Sequence, residues 1–362
     1  MYLWFVFFSL DQPKSRLTAE GRRVNLTTNN EKGIETMDLL FPAALRIITA
    51  VALIYFGLGL FNIHWLMRVR AIAALSVGAL LVGAVGWPLV RPELPVATIT
   101  LVNGSISLPG AIGCVLLAFS AGFIAFFVSW PAGKILAPYA APTGLAIWAM
   151  FSGNMHQLLL DHYEPARRET LYAALRWEGF FWLLICAAGY LGVLAASRLV
   201  GAKILILGQF NSDKPKGTAI LTNILLAMGI TLVVSWVAVG IFVQDVHQVD
   251  PELGTVVGQP GNRQIAFGVF TAFCISAYLV KYTLKIGYLP VAAASVLLTF
   301  GGSMALLRGQ TLSHLAGNWP IAYFNHAVNA ITPLQMVAFA VLGSITGYWM
   351  AVKFHHLSWQ TH

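Results

Sequence analysis

Charge is what this chain has least of. Only 10% of its 362 residues are Asp, Glu, Lys or Arg, against about a quarter in an ordinary soluble domain. Apolar side chains make up 58%, and the mean hydropathy is +0.74. Composition therefore places the chain among integral membrane proteins. Cysteine is nearly absent as well. Cys114, Cys186 and Cys274 each lie in an apolar run with no CxxC or Cys/His spacing around them, which excludes a disulfide framework and a cysteine metal site and leaves small packing residues. Acids are scarcer than bases, 14 against 22, for a net charge of +8. In a multi-pass protein that surplus marks the loops of one membrane face, so the bilayer and not a nucleic acid is the expected partner. Nor is there a glycine pattern that would cradle phosphate in the one long basic loop, "KILILGQFNSDKPKG".

The first 36 residues lack the marks of a leader. "MYLWFVFFSL" is too short to span, has no basic residue ahead of it and is followed by no small-residue cleavage site. Residues 1–36 read as a polar tail, with Met37 as an alternative start, ahead of a single transmembrane helical domain over 37–362.

What is abundant is apolar runs near the length of about 20 residues that a membrane helix needs. They fall at 43–63, 71–90, 110–130, 171–197, 218–243, 264–282, 288–307 and 327–352. A ninth, 135–155, contains "APYAAPTGLAIWAMFSG", where Pro138 suits a first helical turn but Pro142 predicts a kink or an unwound turn. With nine spans and the N-terminus outside, one face receives Arg68, Arg70, Lys134, Arg198, Lys203, Lys214, Lys216, Lys281, Lys285 and Lys353. The other receives Arg91, Arg167, Arg168, Arg176, Arg263 and Arg308. Without the ninth span the bases divide evenly. The fold expected is an all-α polytopic bundle of nine transmembrane helices, or eight, with an outside N-terminus and a cytoplasmic C-terminus in a cell membrane, the inner membrane of a bacterium.

Three longer outer segments are 91–108, where "VATITLVNGSISLPG" predicts a hairpin, 244–263 and 308–326. The fifth span is approached by "EPARRETLYAALRWEGFFW", which predicts a helix starting at Pro165 outside the bilayer, a Glu164–Arg168 pair, and Arg176 and Glu178 at the membrane interface beside Trp177 and Trp182.

No Asp or Glu is expected in the apolar cores, which argues against coupling through an intramembrane carboxylate. Interrupted helices with polar residues are the remaining way to line a solute path. Pro142, Gly144 and Asn154 in the fourth span and Asn329, Thr332 and Gln335 at the start of the ninth are the candidates. On the outer side His156, His162, His247 and Asp161 offer imidazole and carboxylate for a divalent metal, within a wider set that includes His314, His326, Asp250 and Glu252. No other cofactor is implied. "GSITG" sets Gly343 and Gly347 four apart, and Ala118 and Gly122 repeat the spacing, for close helix contact within this chain, in a homo-oligomer or with another subunit. The leading expectation is a permease or facilitator for a small solute. The alternatives are a non-catalytic subunit of a membrane complex and a membrane-embedded enzyme using the outer His/Asp groups.

Overall fold

The computed structural model describes residues 52, 55, 64–92, 97–102, 106–162, 164–201, 217–308 and 310–359. The expected tail, the first span near 43–63 and the basic loop 202–216 lie outside these residues. Two compact units divide the chain, Met1–Ile72 and Ala73–His362. Helix α1, Trp65–Gly78, enters the second unit at Ala73, and a wider π-helical turn, Ala79–Val85, continues it.

The second unit is built from helices α2 (Trp87–Val90), α3 (Leu108–Val128), α4 (Gly133–Leu136), α5 (Ala140–Phe151), α6 (Met155–Leu160), α7 (Pro165–Leu199), α8 (Gly217–Phe242), α9 (Asn262–Leu284), α10 (Leu289–Leu307), α11 (Thr311–Asn318) and α12 (Pro333–Trp359). Three short strands, β1 (His247–Asp250), β2 (Gly254–Gly258) and β3 (Tyr323–Phe324), form one antiparallel sheet in that order. Among the described residues seven helices are long and apolar enough to cross a membrane, each within a few residues of an expected span. Their outward faces carry apolar stripes at helical spacing, Leu108, Ile112 and Leu116 on α3 and Leu225, Val233, Val237 and Ile241 on α8. Water would penalise such stripes, and a bilayer is compatible with them.

Small residues hold the bundle together. A methyl on Gly122 would sit 1.9 Å from the carbonyl oxygen of Gly189, and one on Gly192 would sit 2.0 Å from that of Phe119, so α3 and α7 touch through their backbones. Gly343 and Gly347 of α12 meet α9 in the same way, at Phe270 and Cys274. Both small-residue motifs are thus used inside the chain.

The stretch around 135–155 is helical from Gly133 to Phe151. Helix α4, a tighter 3₁₀ turn at Ala137–Tyr139 and α5 follow one another without a gap, so Pro142 is met by a tightened turn ahead of it and not by the expected unwound one, and the chain leaves the helix only at 152–154. The run begins where α3 ends, with Gly133 against Phe126, and finishes beside the segment that precedes α3, where the Gly153 N–H donates to Ala97 O at 3.2 Å. It therefore returns the chain along the length of α3.

Helix α7 has 35 residues, about 50 Å at 1.5 Å per residue, well beyond a hydrocarbon core of about 30 Å. Its first part enters a second core with α6, the sheet and α11, made by Leu158, Leu171, Leu175, Val256, Leu315 and Phe324. This cap covers one end of the bundle. Glu164 pairs with Arg167 at 3.1 Å and not with Arg168. Arg168 turns inward and donates to His162 O, because the cap core lies on that side of the helix.

Among the described residues the hairpin lies at 247–258, and none is formed by those of 91–108. Within the latter, residues 97–102 are extended with no ladder partner among the described residues. Thr98, Ile99 and Thr100 are all buried, so this strap is clasped on both faces, where the alternating sequence suggested a half-exposed ribbon. At the real hairpin the Asp250 carboxylate accepts the N–H groups of Glu252 and Leu253 at 2.9 and 2.7 Å, and Gly254 adopts φ +79°, a left-handed value that a side chain would strain.

Candidate functional site

Where the cap meets the bundle, three helix ends converge. Helix α5 stops at Phe151, and its last carbonyls have no helical partner ahead of them. Asn154 restarts the chain as the N-cap of α6, in a reciprocal capping box with Gln157 at 3.0 and 3.1 Å. Opposite, a 3₁₀ turn at Ala327–Ala330 is followed by two non-helical residues, Ile331 and Thr332, before Pro333 opens α12. Proline suits that first position because it has no N–H to leave unpaired.

Side-chain amides stitch these ends together. Gln335 Oε1 accepts the Thr332 N–H at 3.2 Å, while its Nε2 donates to Asn262 Oδ1 at 3.0 Å and to Ala149 O at 3.5 Å. Asn262, the first residue of α9, donates through Nδ2 to Ser152 O at 3.0 Å and to Met150 O at 3.5 Å. Gln259 closes the cap side, donating to Ala330 O and accepting the His156 N–H, both at 3.0 Å. The result is an uncharged seam across α5, α9 and α12, buried at Gln335 and half-buried at Asn262 and Gln259, in which each of these carbonyls is held by a side chain from another element.

His326 caps the 3₁₀ turn. Its Nδ1 accepts the Val328 N–H at 3.2 Å, which puts the ring proton on Nε2, and the ring stacks on Trp236 with centroids 3.9 Å apart. Burial pushes its pKa down to about 4, so the ring is neutral near pH 7.

Of the residues singled out in the sequence, Thr332 and Gln335 are in the seam and Asn154 borders it. Asn329 lies next to it, its Nδ2 donating to Asn325 Oδ1 at 2.7 Å, with Gly302 of α10 leaving room for its carbonyl oxygen. Pro142 and Gly144 are elsewhere. A methyl on Gly144 would lie 2.3 Å from Val82 Cβ, so this glycine lets α5 pack on the π-helical turn. Asn262 and Gln259 were missed. The available signal was the pair Pro260–Gly261, which ends the loop and leaves Asn262 at a helix start.

The outer histidines disperse. His156 contributes its backbone N–H to Gln259, and its Nδ1 has no partner among the described residues. His162 Nδ1 donates to Leu158 O at 3.0 Å, His247 is on β1 opposite Val257, and Asp161 ends α6. Among the described residues no three His, Cys, Asp or Glu side chains gather in a way that could hold a metal ion.

No family model, curated protein or solved structure matches this chain. Its function is therefore read from geometry.

The cap does build one ionic lock. His314 of α11 places Nε2 at 3.0 Å from Asp250 Oδ2 and Nδ1 at 2.8 Å from Glu252 Oε2, and Trp319 Nε1 donates to the same Asp250 oxygen at 2.6 Å. The Asp250 hydrogen bond raises the His314 pKa above its usual value. The His314 and Leu253 bonds hold Asp250 well below the carboxylate range. The raised histidine stabilises the fold fully below about pH 6.5 and loses this effect as pH rises through its folded value. The depressed aspartate contributes above about pH 4 and loses its effect only as pH falls further. The lock is complete between these limits. Amide exchange in residues 250–254, corrected for intrinsic rates, is expected to accelerate as pH is raised above the histidine value, and His314→Gln should remove that dependence. Identical profiles in the two proteins would exclude the lock.

Proposed function

We propose that the chain is a permease or facilitator for a small polar, uncharged solute, with the seam as the constriction of its path. The observation that carries this reading is the Gln335–Asn262 amide pair joining two interrupted helices at carbonyls their own helices cannot satisfy. Each of these amide–carbonyl contacts is worth only about 1 kcal/mol net, because it replaces hydrogen bonds to water, and a hydroxyl or amide of a passing solute can take its place at similar cost. Paired helix breaks beside a polar site are how membrane carriers expose backbone to a substrate. The return of 133–151 along α3 supports counting it as a crossing. Nine crossings then leave the cap outside, and Lys134, Lys281, Lys285 and Lys353 face the cytoplasm with the C-terminus. The internal use of Gly343 and Gly347 removes the motif that favoured a subunit of a larger complex.

Stopped-flow light scattering on proteoliposomes, with glycerol, urea and acetamide as probes, tests the reading. Vesicles with the wild-type chain should re-swell faster than empty ones for at least one probe. Gln335→Leu and Asn329→Leu should lose about tenfold of that excess, the equivalent of roughly 1.4 kcal/mol at the constriction, while still inserting. Equal rates in wild-type and empty vesicles for all three probes would overturn it. Gly144→Leu is a poor test, since it would break packing and not the path.

A further inference from the structure

Beyond the seam, one acidic side chain among the described residues lies inside the bundle. Glu178, in the membrane-crossing helix α7, is 3% exposed. It does not pair with Arg176, which turns away to Met304 Sδ at 3.1 Å and to the rings of Trp177 and Phe300. The interfacial placement expected from the sequence fits Trp177, which is exposed, but not Glu178 or Trp182. Glu178 instead sits at the level where the cap core gives way to the bundle core, between Leu175 and Trp182.

Three donors surround the carboxylate. Trp182 Nε1 donates to Oε1 at 2.8 Å, the Thr100 hydroxyl donates to Oε2 at 2.5 Å, and the Leu101 N–H donates to the carboxylate as well. Among the described residues no cation lies within ion-pair distance. The elements packed against this part of α7 supply none: α3, α5, α10 and the strap 97–102 contain no Asp, Glu, Lys, Arg or His. The titratable side chains of the other neighbours are engaged or distant along the chain. His314 of α11 is bound to Asp250, Lys134 and Tyr139 precede α5 at the end away from the cap, and Tyr348, Lys353, His355 and His356 lie in the second half of α12. Cys114 of α3 is buried, and on α7 itself Tyr172 reaches Asn329 O and Arg168 reaches His162 O.

The strap that clasps Glu178 also holds the helix break. Two residues before Thr100, the Thr98 hydroxyl donates to Asn154 O at 2.9 Å, and Ala97 O accepts the Gly153 N–H. From there Ser152 O leads to Asn262 and Gln335. A continuous series of hydrogen bonds and short backbone links thus joins the buried carboxylate to the seam.

We propose that Glu178 is a proton-binding site, and that its protonation releases the strap 97–102 from α7 and thereby loosens the break at 152–154. The ligand is the proton itself, which adds to Oε2 of the carboxylate. Trp182 Nε1 and the Leu101 N–H can only donate, so a neutral carboxyl gives them a weaker acceptor, and the Thr100 hydroxyl must turn over to accept from the new O–H. An ionisable side chain inside a membrane bundle with donors but no counter-ion is arranged for such a change of charge. On the permease reading above, which this step presupposes only for its consequence, proton entry opens the solute path and transport is proton-coupled.

The test uses the full chain in lipid nanodiscs with protons as the only probe. Infrared difference spectra between about pH 8 and about pH 5 should contain a buried carboxyl C=O band that Glu178→Gln abolishes. Amide exchange over 97–102 and 152–154, corrected for intrinsic rates, should rise about tenfold across the same interval in wild type, the effect of weakening one charge-assisted hydrogen bond. In Glu178→Gln it should be fast at both pH values. Thr100→Val should free the strap yet keep the band, which separates strap release from misfolding. Absence of the band, or strap exchange unaffected by pH and by Glu178→Gln, would overturn the proposal. If solute flux occurs but ignores pH and Glu178→Gln, coupling falls and the permease stands. If the strap responds while no solute moves, the permease falls and the proton site stands.

Discussion

Truncation of Trp148 to alanine is expected to lower stability by about 3–5 kcal/mol, the range for removing a fully buried aromatic side chain. Trp148 has no exposed surface. Its ring meets Trp182 edge to face at 6.5 Å, and its Nε1 donates to Gly83 O at 3.0 Å across the π-helical turn. Gly86 is shaped around it: a methyl there would stand 2.7 Å from the ring. The variant therefore loses the ring, leaves a cavity that flanking backbone cannot fill, and strips Gly83 of a buried donor. Trp148→Phe separates these terms. It keeps most of the volume and should cost about 1–3 kcal/mol, chiefly from the unmade hydrogen bond. Melting in bicelles measures both. A loss below about 1 kcal/mol in the alanine variant would mean the ring is not packed as described.

Leucine at Gly122 should have an effect at least as large. Its Cβ would meet a backbone carbonyl, that of Gly189, and the reciprocal contact of Gly192 with Phe119 blocks any simple slide of one helix along the other. Helices α3 and α7 must separate, and overpacking of this kind costs about 3 kcal/mol or more because no flexible side chain can yield. Gly122→Leu is expected to leave little folded protein after detergent extraction, and Gly122→Ala to lower the melting temperature clearly. Gly301 of α10, with nothing within 4 Å of an added methyl, is the control. Alanine there should be neutral or mildly stabilising, by roughly 0.5–1 kcal/mol, because helix propensity alone changes. Equal behaviour of Gly122→Ala and Gly301→Ala would disprove the close contact.

The parts of this protein written in local sequence were legible. Uninterrupted apolar runs fix the long helices to within a few residues, Pro165 and Pro333 mark two helix starts, and the prolines of 135–155 mark a tightened turn where a kink or an unwound turn was expected. The seam was half legible for the same reason: Thr332, Gln335 and Asn154 stand beside helix breaks, where polar groups have carbonyls to bind. What depended on distant partners was not. Glu178 lies among Arg176 and Trp177, neighbours typical of an interface, and two of the three donors that hold it inward come from the strap, Thr100 being 78 positions away. Gly144 resembles a path residue until Val82 is seen against it. The GxxxG spacing at Gly343 and Gly347 states that a backbone will come close but not whose, and the answer, α9, is fixed by tertiary packing. Residues 97–102 form a strap without a ladder partner among the described residues, because alternation of β-branched and small residues fits a strap buried on both faces as well as a ribbon.

The cap core draws on widely separated stretches of chain: Val102 of the strap, α6 with the start of α7, the β1–β2 hairpin, Leu306 at the end of α10 with α11 and β3, and Ala330 just before α12. During synthesis these stretches emerge in turn, and β3, which pairs with β2 and supplies Phe324, comes after α10. The cap thus stays an open set of apolar fragments until six of the seven long helices among the described residues have been made. Its closure is a late event that reports on nearly everything before it.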